Sequence, residues 1–120
     1  MHRVLVVDDA FFMRQIIKDT VCDLGFIVCG EAENGKDALD KACELQPDII
    51  TMDVTMPMMN GLESLKRMRE CGVNSKIIMC SAMHQNEIVM EAFKNGADDF
   101  IMKPFKEENL KETIQKLAVK

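Results

Sequence analysis

The sequence predicts an α/β fold, a doubly wound parallel sheet of five strands with helices on both faces. Three observations predict it. Short apolar runs recur along the chain, segments with helical spacing separate them, and glycines or Asn-Gly pairs mark the joins. Strand-helix alternation repeated in this way is solved by right-handed crossovers that bring successive strands parallel in one sheet.

The first strand is Val4-Leu5-Val6-Val7, apolar without polar alternation, as suits a strand covered on both faces. Met13, Ile16, Ile17, Val21 and Leu24 follow at helical spacing, and Gly25 closes that helix where a left-handed residue is wanted. Ile27-Val28-Cys29 is the second strand, after which Asn34-Gly35 opens a helix with the stripe Ala38, Leu39, Ala42 and Cys43. The third strand, Ile49-Ile50-Thr51-Met52, leads to Asn60-Gly61 and a helix of Leu62, Leu65 and Met68 that Gly72 closes. Ile77-Ile78-Met79-Cys80 is the fourth strand, and Ile88, Val89, Ala92 and Phe93 form the next stripe, ended by Gly96. Phe100-Ile101-Met102 completes the strands, and Leu110, Ile114, Leu117 and Ala118 complete the helices.

A chain of 120 residues has room for one domain, residues 1–120, with one core. With 48% apolar and 29% charged residues it has the balance of a soluble globular protein. No stretch is long enough to span a bilayer, and Met1-His2 leads straight into the first strand without a signal peptide, so a cytoplasmic protein without membrane contact is expected. The net charge of −5 argues against nucleic acid as a partner, since phosphate backbones need a basic face. Cys22, Cys29, Cys43, Cys71 and Cys80 are odd in number and scattered, without the close pairs of a zinc or redox motif. They are expected as reduced, mostly buried thiols.

In parallel sheets of this kind the ligand site forms beyond the carboxyl ends of the strands. There the sequence places Asp8 and Asp9 after the first strand, Asp53 after the third, Ser81 after the fourth, and Lys103 with Pro104 after the fifth. Each has a bland reading as a turn or capping residue. Their joint occurrence on one rim does not. Carboxylates ~4 Å apart repel by roughly 4 kcal/mol per pair at a protein-like dielectric, so Lys103 and a divalent cation are needed to balance them. Oxygen donors without histidine or thiol favour a hard ion such as Mg²⁺. Such a site supports phosphoryl transfer, with Asp53 as nucleophile, Asp8 and Asp9 holding the metal, Lys103 contacting carboxylate and phosphoryl oxygens, and Ser81 donating to the phosphoryl group.

These residues lie in the motifs Val6-Val7-Asp8-Asp9, Met52-Asp53-Val54-Thr55-Met56-Pro57 with Asn60-Gly61, Ser81-Ala82, Gly96-Ala97-Asp98-Asp99-Phe100 and Lys103-Pro104-Phe105. Over essentially the whole chain they resemble the receiver domain of bacterial two-component response regulators. The resemblance implies a flavodoxin-like (βα)5 fold with strand order 2-1-3-4-5. It implies Asp53 as phosphoacceptor, Asp9, Asp53 and the backbone carbonyl of Thr55 as direct Mg²⁺ ligands, and Asp8 as a ligand through water. Ser81 and Phe100 take the switch positions, where Phe100 lacks the hydroxyl of the more common tyrosine, and Lys103-Pro104 is implied to be cis. Asp8-Asp9-Ala10-Phe11-Phe12-Met13-Arg14 and Cys80-Ser81-Ala82-Met83 look like the stand-alone chemotaxis branch, the alternative being the receiver domain of a longer or non-chemotaxis response regulator. That branch implies a monomer that takes its phosphoryl group from a sensor histidine kinase, signals to the flagellar motor switch through the surface from helix four to helix five, and is served by a phosphatase in some members. The protein would be no enzyme beyond promoting transfer to its own Asp53 and the hydrolysis that follows.

Met56, Met58, Met59 and Met83 give the site an apolar rim; the plain reading is that they pack into the loop, and the functional alternative is that Thr55 and Met83 flank the path of attacking water. His84 is read as a surface residue at the start of the fourth helix. An aspartyl-phosphate hydrolase would need a substrate pocket and a second acid for the leaving group, and neither is visible. A flavin binder is disfavoured by the absence of Trp and Tyr and by acidic strand ends.

Overall fold

The computed structural model describes residues 2–83 and 85–119, and His84 therefore lies outside the described residues. Five strands and five helices alternate: β1 (Arg3–Val7), α1 (Phe11–Asp23), β2 (Ile27–Ala32), α2 (Gly35–Leu45), β3 (Ile49–Asp53), α3 (Gly61–Glu70), β4 (Lys76–Ser81), α4 (Asn86–Lys94), β5 (Asp99–Met102) and α5 (Glu107–Ala118). Neighbouring strands pair in parallel in the order β2-β1-β3-β4-β5. The chain steps outward from β1 to β2 and then returns past β1 to β3, so the winding reverses between β1 and β3. The crevice at their carboxyl ends is the place such a sheet offers to a ligand.

Successive strand residues point to opposite faces, and this divides the core in two. Leu5, Val7, Ile50, Met52, Ile77 and Met79 pack against α2, α3 and α4 through Ala38, Ala42, Leu65, Met68 and Ala92. Val4, Val6, Ile49, Ile78 and Cys80 meet α1 and α5 through Ile17, Val21, Leu110, Ile114 and Leu117. Full burial is worth roughly 1.5–3 kcal/mol for each large aliphatic side chain, so the central strands anchor the rim residues that follow them.

Helix ends follow local chemistry. The Asn34 and Asn60 side chains accept from the backbone N–H of Asp37 (2.8 Å) and Glu63 (2.9 Å), capping α2 and α3. Gly96 ends α4 at φ +107°, a conformation open to glycine at little cost. The end of α2 was not marked by a glycine: Gln46 takes the left-handed position itself, at φ +47°, immediately before Pro47.

Two expectations are corrected. Only Cys80 is a buried thiol; Cys22, Cys43 and Cys71 are exposed and Cys29 is half-buried. Cys22 and Cys43 follow the inward-facing Val21 and Ala42, and one residue is ~100° around a helix, which turns them outward. The α4 stripe is also narrower than its sequence suggests, since Ala92 is buried while Phe93 is 46% exposed. Edge strands are less covered than central ones, with Ile27 and Met102 both open to solvent. Among the described residues no helix is long and apolar enough to cross a membrane.

Candidate functional site

The strand ends bring the expected acids together. Asp53 closes β3 and is 8% exposed, Asp8 follows β1 at 1%, and Asp9 beside it is exposed. One oxygen from each of Asp8, Asp9 and Asp53 lies within 4.8 Å of the others. Both buried acids are also held by short local turns: Ala10 N–H donates to Asp8 Oδ1 at 2.9 Å and Thr55 N–H to Asp53 Oδ1 at 3.4 Å. The turn role and the site role coexist.

Lys103 reaches the cluster from the end of β5. Its Nζ donates to Asp8 Oδ2 at 2.7 Å and to Asp53 Oδ2 at 3.3 Å, bridging two strands. Its backbone N–H donates to the Ser81 carbonyl at 2.9 Å, which fixes where the side chain starts, and the Lys103-Pro104 peptide is cis, as the resemblance implied. Burial is the main influence on the Asp53 carboxyl and raises it; Lys103 opposes that, Asp8 adds to it, and the net direction is upward. Burial also works against the Lys103 ammonium, but its hydrogen bond to Asp8 and the charge of Asp53 outweigh burial and raise it above the usual lysine value.

Three carboxylates therefore lie together, two of them on the Lys103 ammonium, and negative charge is left over. The donor set is entirely carboxylate oxygen. It fits a hard cation such as Mg²⁺, whose opposite ligands in an octahedron stand about 4.2 Å apart, close to the spread seen here. Asp9 is the acid with an open side toward solvent, where such an ion keeps its waters.

Ser81 ends β4 and is buried, with its Oγ accepting from Met83 N–H at 3.0 Å. Phe100 on β5 is half-buried, pairs in register with Met79, and packs on the side of the sheet that carries α4. Thr55 Oγ1 donates to Met83 Sδ at 3.1 Å, so these two side chains meet at the mouth of the site. The apolar rim is smaller than expected: Met58 and Met83 are exposed and Met59 is half-buried, but Met56 is buried under the loop.

Two residues quoted in the sequence motifs have supporting roles that the sequence did not reveal. Arg14 is buried on α1, donates to the Asp8 carbonyl at 2.7 Å and pairs with Glu31 at 3.1 Å, so it holds the loop after β1 in place. Its signal was an arginine standing within the apolar stripe of a helix. Gly61 lets α3 approach β3, because a Cβ there would lie 2.0 Å from the Asp53 carbonyl oxygen. Gly61 N–H also donates to the Val54 carbonyl at 2.7 Å, closing the loop that follows Asp53.

The family model of the response regulator receiver domain matches residues 4–115. The chemotaxis protein CheY of Thermotoga maritima is 51% identical over 116 residues, covering 97% of each chain. The chemotaxis protein CheY of Bacillus subtilis is 50% identical over 115 residues, 96% of each. The solved CheX-CheY-BeF3-Mg complex of Borrelia burgdorferi superposes with a TM-score of 0.95 at 30% identity, covering 99% of this chain and 90% of that one.

Proposed function

We propose, from the premise that this chain belongs to the response regulator receiver domain family, that it is a phosphorylation-operated switch of bacterial chemotaxis with Asp53 as the phosphoacceptor. The observation that carries the reading is the Lys103 ammonium bridging Asp8 and Asp53 within a cluster of three carboxylates. No purely structural account needs a third acid beside a lysine that already bridges two.

Asp53 attacks as a carboxylate, forming a bond from one oxygen to phosphorus as the donor's bond to phosphorus breaks. The product is an acyl phosphate. Asp9, Asp53 and the Thr55 carbonyl would hold Mg²⁺, with Asp8 acting through water; the ion, when bound, neutralises charge on the phosphoryl oxygens. Lys103 then moves its donors from carboxylate toward phosphoryl oxygen. Ser81, at the end of β4, exchanges its turn for a bond from its hydroxyl to that group. Drawing Ser81 and its loop inward opens space on the α4 side of the sheet for Phe100, whose movement is driven by burial alone. A dianionic group thus biases two arrangements of the same loops.

The donor in this reading is a sensor histidine kinase, which family membership supports, and the names of the relatives favour a chemotaxis kinase with the flagellar motor switch as output. Met90, Phe93 and Met102 are exposed on α4 and β5 and suit that contact. The neighbour solved in complex with CheX supports a further protein partner for this chain, a place that a dedicated phosphatase would fill. The protein works as a cytoplasmic monomer without nucleic acid, and its only chemistry is transfer to its own Asp53 and the hydrolysis that follows.

The test is incubation with Mg²⁺ and acetyl phosphate. Wild type is expected to gain one phosphoryl group per chain, seen by intact mass, and Asp53→Asn to gain none. Equal labelling of both proteins, or labelling that survives chelation of Mg²⁺, rejects the assignment.

A further inference from the structure

Five cysteines without a close pair in sequence become, in the fold, three separate thiols and one couple. Cys43 stands near the end of α2 and Cys71 caps the end of α3; both are exposed. They line one cavity of about 510 Å³ together with Asp48, Ile49 and Lys76, at the amino ends of the strands. That end of the sheet is remote from the phosphoryl site, since Ile49 and Asp53 bound β3 and lie about 13 Å apart at the rise of a strand. The two thiols interact: after burial, the Cys71 thiol raises the Cys43 thiol above its ordinary value, by charge and by hydrogen bonding. The helices that carry them are already fastened at their other ends, where Gly35 N–H donates to the Met59 carbonyl at 2.8 Å and the Ser64 hydroxyl to the Gly35 carbonyl at 2.7 Å.

We propose that Cys43 and Cys71 form a thiol-disulfide exchange site, which a low-molecular-weight disulfide oxidises to an intramolecular cross-link between α2 and α3. The Cys71 thiolate attacks one sulfur of the small disulfide; its S–S bond breaks, one small thiolate leaves, and Cys71 is left as a mixed disulfide. The Cys43 thiolate then attacks the Cys71 sulfur, forming the protein S–S bond and expelling the second small thiolate. Two electrons pass from the protein to the oxidant, and the two protons of the protein thiols end on the two released thiols. Cys43 is assigned the second step because its thiol is raised, which lowers the fraction present as thiolate. The internal controls are Cys22, exposed on α1 beyond the opposite face of the sheet, and Cys80, buried with its thiol pushed up to about 12.

The experiment uses the full chain with oxidised glutathione in the absence of air, followed by alkylation and peptide mass mapping. Wild type and Cys22→Ser are expected to lose about 2 Da and yield a Cys43–Cys71 peptide pair. Their melting temperature should rise by roughly 5–10 °C, because the cross-link closes a long loop of the unfolded chain. Cys43→Ser and Cys71→Ser should each stop at a glutathione adduct or stay reduced, with no rise in melting temperature. Wild type that carries stable glutathione adducts on both residues, forms linked dimers, pairs through Cys22 or fails to react overturns the proposal.

Discussion

The two rims of the sheet use carboxylates in opposite ways. At the amino ends Asp98 and Asp48 are each matched by donors among the described residues. Asp98 Oδ2 accepts from Ile77 N–H at 2.8 Å and from the Arg69 guanidinium at 3.0 Å, and Arg69 goes on to the carbonyls of Gly96 and Val73. Asp48 accepts from Arg3 N–H at 2.8 Å. At the carboxyl ends Asp8, Asp9 and Asp53 crowd together, and Lys103 reaches only Asp8 and Asp53 among the described residues. A completed network holds structure, whereas a surplus of one charge is a standing demand for a ligand. Residue type alone does not separate the two; the count of partners does.

Removing the single cation should break the carboxyl rim most severely. In Lys103→Met, phosphoryl incorporation from acetyl phosphate is expected to slow by about 10²–10³-fold, the usual cost of losing one preorganised charge-stabilising donor. Rates of Asp53 labelling followed by intact mass decide it; a loss under threefold means that Lys103 balances the resting carboxylates and nothing more.

The amino rim gives the converse result. Asp98→Ala strands the Ile77 N–H and leaves Arg69 without its carboxylate, which should cost about 1–3 kcal/mol in urea unfolding while leaving the labelling rate near wild type. A variant with intact stability and slowed labelling would erase the distinction between the rims.

Alkaline pH separates them more gently. The Lys103 ammonium is raised above its ordinary 10.5, so the folded chain holds that proton more tightly than the unfolded one. Its stabilisation is fully present below 10.5 and is lost as pH rises through the higher folded value. The Asp53 carboxyl, raised above 3.8, acts with the same sign in a lower window: stability from this group falls as pH rises through the window above 3.8. Urea midpoints of wild type and Lys103→Met should therefore converge at pH values above 10.5, and a gap that stays constant there contradicts the pairing.

Much of the site could be read from the chain because its parts are local. Buried strands announce themselves as apolar runs, and Asp8, Asp9, Asp53, Ser81 and Lys103 stand directly at their ends. What joins distant segments was hidden. Strand order and the cis peptide at Lys103-Pro104 came only through family resemblance, since neither periodicity nor composition encodes them. Cys43 and Cys71 meet only because α2 packs on α3, and the partial exposure of the α4 stripe reflects a short helix covered on one side by little more than Ala92. Gln46 in the left-handed position shows the same limit at small scale, because the following Pro47 and the packing around it, not the residue's own preference, end that helix.

The smallest effect tests how the surplus of the carboxyl rim is guarded once it is used. Thr55 Oγ1 meets Met83 Sδ at 3.1 Å, and we propose that together they flank the approach of water to a phosphoryl group on Asp53. Met83 is 42% exposed, so shortening it opens the approach without disturbing the core. In Met83→Ala the acyl phosphate should decay about threefold faster, equivalent to about 0.65 kcal/mol of barrier. Thr55→Asn keeps a polar group but breaks the contact with sulfur, and its lifetime should also change. Decay followed after rapid removal of the phosphodonor reads both variants. If neither lifetime moves, the two side chains only pack against each other, and access of water to Asp53 is governed by the buried acids and Lys103 themselves.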